Sequence, residues 1–118
     1  MSFGPHDYLN HILAEADYLI ASSDQVDRES FLSDETLRRA FVRSIEIIGE
    51  ATKKLPDAIT RDQSIVPWSS IAKMRDRLIH GYFGVDYELV WDVVKNNVPS
   101  LQGEVLRLLA KQDSDENL

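Results

Sequence analysis

The sequence predicts an all-α protein, an up-and-down bundle of about five helices. Three observations carry this. Apolar residues recur at steps of three and four along most of the chain, which is the spacing of one helix face. No stretch alternates apolar and polar residues with the period of two that a half-buried strand requires. The four prolines fall at the edges of the periodic stretches rather than inside them.

The elements follow in order. Pro5 suits the first turn of a helix. Tyr8, Ile12, Ala16, Leu19 and Ile20 then extend that helix from about residue 5 to 22, and Ser22 to Gln25 read as its exit. Ser33 or Asp34 can cap a second helix, because a short side-chain oxygen can accept a bond from a free first-turn N–H. Leu37, Phe41, Ile45, Ile48 and Thr52 give its stripe, and it runs to about Leu55, before Pro56. Residues 56–67 hold two prolines and no periodicity and read as a loop. Pro67 opens a third helix striped by Trp68, Ile71, Met74, Leu78 and Ile79, and Gly81 and Gly84 break the pattern. Asp86 can cap a fourth helix through Leu89, Val90, Val93 and Val94 to Asn96 and Asn97. Pro99 marks a kink or a boundary. A fifth helix with Leu101, Val105, Leu108 and Leu109 ends near Lys111. The reading is one domain over residues 1–112 and a disordered acidic tail over 113–118.

Bulk properties narrow the function. A chain of 118 residues buries one modest core, so a homodimer that covers further apolar surface is expected. There is no cysteine, so disulfides and thiolate sites are excluded, and a cytoplasmic location fits. The start lacks a basic segment followed by an apolar one, so no signal peptide is expected. No apolar run is long enough to span a membrane. The net charge of −7 is unfavourable for a nucleic-acid binder. Its distribution is not uniform: residues 1–33 carry −5, residues 34–77 carry +2 and residues 78–118 carry −4. A local basic site on an acidic body suits a transiently bound nucleic acid or a basic partner.

The segment from Arg75 to Tyr82 carries the chemistry. It places Arg75, then His80 after four intervening residues, then Tyr82 two further on. A guanidinium holds phosphate at any physiological pH. An imidazole moves protons near neutrality. A phenol can accept a transferred group. Together they are what metal-free RNA cleavage would need, with a handle for switching it off. A ribose 2′-OH would attack the adjacent phosphate, His80 would act as general base or acid, and Arg75 would hold the phosphate and stabilise the transition state. Asp76 can orient either group or remain a solvated charge. On an ideal helix five positions separate side chains by about 140°. Arg75 and His80 therefore do not share a face of a straight helix. A long arginine can reach round, the helix can end near Gly81 and turn the histidine inward, or two copies can line one cleft; the spacing does not choose. The ordinary reading is an Arg75 surface ion pair, a satisfied helix-end histidine and a half-buried Tyr82.

Residues 39–55, Arg-Ala-Phe-Val-Arg-Ser-Ile-Glu-Ile-Ile-Gly-Glu-Ala-Thr-Lys-Lys-Leu, and residues 67–83, with Arg75, His80 and Tyr82, carry a more specific signal. Val85, Asp86 and Trp91 follow them. The chain resembles the HepT family, HEPN-superfamily ribonuclease toxins of toxin–antitoxin pairs, over about residues 7–112. The resemblance implies a helical HEPN-like homodimer that cleaves RNA without a metal or other cofactor. It also implies a partner, an MntA-like nucleotidyltransferase that neutralises the toxin by adding AMP to the motif tyrosine, here Tyr82. The catalytic pair it implies is Arg75 and His80, with Asp76 in support.

Other residues read as structural. Glu46 and Glu50 lie four apart on one helix face, but no histidine stands at ligand spacing beside them, so no metal site is expected. Gly49 inside a helix costs about 1 kcal/mol relative to alanine and suggests that another helix packs closely there. Trp68 and Trp91 read as core or dimer anchors rather than base-stacking platforms. The competing function is a non-catalytic module that binds nucleotide or docks a separate nucleotidyltransferase. Such a module has no need of both Arg75 and His80.

Overall fold

A computed structural model describes residues 3–61, 66–80 and 84–116, with side chains described as far as residue 114. It is an all-α bundle with one two-residue β-pair. The helices are α1 (Pro5–Ser23), α2 (Arg28–Ser33), α3 (Glu35–Lys53), α4 (Asp57–Thr60), α5 (Trp68–Leu78), α6 (Tyr87–Asn96) and α7 (Val98–Glu116). The strands β1 (Ile79–His80) and β2 (Gly84–Val85) sit between α5 and α6. α1, α3 and α7 are each 19 residues long, so each spans about 28 Å at 1.5 Å per residue. α1 packs against α7 on one side and α3 on the other, and α5 packs on α3.

The caps are those the sequence supplies. Pro5 begins α1, and the Gly4 N–H donates to the Asp7 carboxylate at 2.9 Å. Asp34, rather than Ser33, caps α3 by accepting from the Leu37 N–H at 3.0 Å. Asp86 caps α6 by accepting from the Leu89 N–H at 3.0 Å. Each such bond satisfies one of the N–H groups that a helix start leaves without a partner. Asp27 caps α2 in the same way, through the Ser30 N–H at 2.8 Å. The Ser30 backbone and then its side chain hold the Asp27 carboxyl below its usual range.

The predicted stripes form the core. Ile12, Ala16 and Leu19 of α1, Phe41, Ile45 and Ile48 of α3, and Leu101 and Val105 of α7 are buried together. Phe31 of α2 stands 4.8 Å from Phe41 and 5.3 Å from Trp91, ring centre to ring centre, and so joins α2, α3 and α6. Offset aromatic contacts at this range add to the area that large rings bury. Trp68 and Trp91 are both core residues, 5% and 8% exposed.

The structure differs from the sequence reading at particular places. α2 and α4 are additional short helices, and α4 lies inside the stretch read as a loop. Neither is long enough to show a periodic stripe. α3 stops at Lys53, short of Leu55. Pro99 is the second residue of α7 and starts that helix instead of kinking it. α7 also continues to Glu116, through residues read as a disordered tail. His6 Nε2 lies 3.4 Å from the Asp113 carboxylate and ties this end of α7 to α1. Gly49 lies against α5 as expected, but a Cβ there would stand 3.8 Å from both the Ala72 carbonyl oxygen and Arg75 Cβ. That is ordinary contact, so the approach of α5 leaves room for alanine. No helix among the described residues is long and apolar enough to cross a membrane.

Candidate active site

α5 ends at Leu78, immediately before the residues of interest. Ile79 leaves the helix with φ −121° and ψ 108° and pairs with Val85, while His80 pairs with Gly84. β-Branched residues favour this extended backbone. The Asp86 N–H donates to the Leu78 carbonyl oxygen at 2.9 Å, which satisfies a carbonyl that the helix end would leave free. Residues 81–83, which join the two strands, lie outside the described residues, and Tyr82 lies there with them.

Arg75 is in the last turn of α5, with Arg77. Cations at a helix C-terminus complement the helix dipole, so the position is favourable before any function is considered. The Arg75 side chain is 44% exposed, and its Nη1 lies 3.3 Å from the Asp76 carboxylate. A pair this exposed contributes little to stability, so it restrains the guanidinium only loosely. Arg75 lines a concavity of about 550 Å³ with Arg39, Val42 and Glu46 of α3 and with Ile79, Val85 and Tyr87. Val42, Ile79 and Val85 make part of its lining aliphatic, and Arg39, Arg75 and Glu46 bring two guanidinium groups and one carboxylate. Beside it the Arg38 guanidinium lies over the Tyr87 ring at 4.6 Å, a cation–π contact that fixes the ring.

His80 is exposed, and its side chain makes no hydrogen bond or ion pair among the described residues. Successive strand side chains point to opposite faces. Ile79 is buried and forms part of the concavity's lining, and His80 does not line it. The break at Leu78 therefore leaves His80 outward rather than turned in beside Arg75, and no hydrogen bond joins the two. The structure brings Arg75 to Asp76 and to the α3 residues Arg39 and Glu46. It leaves His80 exposed and outside that lining. Arg39, Glu46 and Tyr87 are the site neighbours that sequence reasoning missed as a group. Arg39 and Glu46 lie seven residues apart, two turns of one helix face, but nothing in the sequence places Arg75 opposite them.

Among the described residues no three His, Cys, Asp or Glu side chains stand close enough together to hold a metal ion. Glu50 faces Lys53 at 3.7 Å.

Residues 9–108 match the family model described as Ribonuclease HepT-like. The chain belongs to this family. It is 47% identical over 108 residues to "Putative RNase TTE0752" of Caldanaerobacter subterraneus subsp. tengcongensis, covering 92% of this chain and 96% of that one. It is 40% identical over 102 residues to "Probable ribonuclease HepT" of Thermococcus cleftensis, covering 86% of this chain and 93% of that one. No solved structure matches the chain. The HepT-like family thus accounts for the bundle and spans the segment with Arg75 and His80.

One close approach holds His80 where it is. A Cβ at Gly84 would fall 2.8 Å from the His80 carbonyl oxygen, a backbone atom that cannot move aside alone. Gly84→Ala should therefore separate β1 from β2 and displace His80 while α1, α3 and α7 stay packed. The expected outcome is an unchanged helical circular dichroism spectrum with a shifted His80 imidazole NMR signal. An unshifted signal would mean that the pair does not position the histidine.

Proposed function

We propose that this HepT-like protein is a metal-independent endoribonuclease toxin, working in the cytoplasm and held in check by a partner nucleotidyltransferase. The observation that carries the reading is membership of a ribonuclease family over residues that include Arg75 and His80. Arg75 grips the phosphate on the rim of the concavity, aided by Asp76. His80 takes the proton from the ribose 2′-OH or returns one to the leaving 5′-oxygen. The bond formed is 2′-O to phosphorus and the bond broken is phosphorus to 5′-O, so no water and no metal enters the first step.

One chain keeps Arg75 in the concavity and His80 outside it. This favours a composite active cleft. In a homodimer, Arg75 of one copy and the partner's imidazole close on the same phosphate. This also supplies cover for apolar surface that a short chain leaves exposed.

Arg75→Ala and His80→Ala should each lower RNA cleavage by at least about a hundredfold with the helical spectrum retained. Cleavage by the wild type should persist in EDTA. A His80→Ala protein that cuts at the wild-type rate removes His80 from the mechanism, and loss of cleavage in EDTA that a divalent ion restores defeats the metal-free reading.

Tyr82 is the control point. An AMP unit on its phenol brings a phosphodiester of about −1 charge near the phosphate site, where it repels RNA and competes for the guanidinium. Tyr82→Phe should remain active, because cleavage needs no phenol, yet resist neutralisation. Intact mass after incubation with the partner enzyme and ATP measures this. A Tyr82→Phe protein that gains AMP as readily as wild type places the acceptor elsewhere.

A further inference from the structure

Across α3 from the Arg75 concavity, aromatic rings and cations meet again. A second concavity, of about 230 Å³, is lined by Phe3, Tyr8 and His11, by Arg43, Ile47, Glu50 and Ala51 of α3, and by Lys54 just after that helix. The three rings meet edge to face, with Phe3 at 6.0 Å from Tyr8 and 5.3 Å from His11, and Tyr8 at 6.1 Å from His11. Phe3 is nevertheless 53% exposed. The Arg43 and Lys54 side chains are exposed and hold no ion pair or hydrogen bond among the described residues. Glu50, in the same lining, pairs with Lys53 at 3.7 Å, which partly offsets its charge. On a body of net charge −7, such unpaired cations decide where a polyanion can lie.

The two concavities are neighbours. Glu46 lines the first and the next residue, Ile47, lines the second, so one helix ridge about 10 Å wide separates them. A single strand of RNA gripped at Arg75 can cross that ridge.

We propose that the second concavity is a nucleotide subsite for the RNA cleaved at the Arg75 cleft. A base stacks on the open face of Phe3, whose tilt is fixed by Tyr8 and His11. The flanking phosphate is held by Arg43 and Lys54, with the Glu50 carboxylate drawn to Lys53. Stacking of this kind accepts any base, since every base has a π-face, while the guanidinium supplies charge-assisted bonds to phosphate oxygens. The subsite thus selects single-stranded RNA long enough to span the ridge rather than a particular sequence. The inference rests on the ribonuclease reading.

The test compares the full-length wild type with Phe3→Ala, with the double variant Arg43→Ala and Lys54→Ala, and with Arg61→Ala as a control for loss of a surface cation elsewhere. Substrates are a single-stranded RNA of about ten nucleotides and a dinucleotide too short to cross α3. Binding is read by fluorescence polarisation and cleavage as KM and kcat. Phe3→Ala and the double variant should each raise KM and Kd for the longer RNA by about tenfold, with no matching rise for the dinucleotide. The double variant should also show a shallower dependence of binding on salt, because fewer counterions are released. Wild-type affinity for the longer RNA in both variants overturns the inference, as does an equal loss on both substrates. A wild type that binds the longer RNA without cutting it, with binding lost in the variants, sinks the ribonuclease reading and leaves the subsite standing. Variants that change only the sedimentation behaviour assign this face to a second copy of the chain and overturn the inference.

Discussion

The candidate site depends on where α5 stops. One more turn of helix would carry Ile79 and His80 round the axis and leave no β-pair. The stop at Leu78 is enforced from three directions. Ile79 takes the extended backbone that its branched side chain favours. The Asp86 N–H occupies the Leu78 carbonyl. Gly84 lies so close to the His80 carbonyl that no side chain fits between them. Asp86 then caps α6, so the residue that ends one helix begins the next. A short stretch of backbone hydrogen bonding thus sets the direction of both helices and the face on which the imidazole emerges.

Behind this junction α3 is the rigid support. Its inner face supplies Phe41, Ile45 and Ile48 to the core. Its neighbouring positions Arg39 and Glu46 form one wall of the Arg75 concavity, and Arg43 and Ile47 form part of the second. Burying large apolar side chains in a densely packed core fixes the helix against displacement, and functional groups on a packed helix hold their geometry better than groups on a loop. The buried Glu104 of α7 is a different case. Its carboxylate, 4% exposed, is matched by Arg107 of the same helix at 2.6 Å, a local compensation for burial.

Much of this was legible in the sequence because the signals are local. Periodicity located the five long helices, and Asp34 and Asp86 announced their caps. Trp68 and Trp91, read as core or dimer anchors, are buried in the core. What escaped depends on tertiary contact. Ile79 fits the helical stripe of Met74 and Leu78, and only its pairing with Val85 reveals a strand. The helical end of α7 was hidden because an acidic, polar segment looks solvated until His6 is found beside Asp113. The Arg39, Glu46 and Arg75 grouping joins residues from two helices whose packing no spacing rule predicts. The segment from Arg75 to Tyr82 pointed to the proposed chemistry, but its spacing left open how Arg75 and His80 would meet.

That last point is the centre of the account: His80 stays outside the Arg75 concavity of its own chain, and the proposed cleft takes one group from each of two copies. Mixing the inactive Arg75→Ala and His80→Ala chains, after unfolding and refolding them together, measures it directly. In mixed dimers one cleft regains an intact arginine from one copy and an intact histidine from the other. Random pairing of equal amounts should then restore roughly a quarter of wild-type cleavage. A mixture as inactive as its components, with mixed dimers demonstrated by mass, would show that each chain builds its own site and would contradict the account.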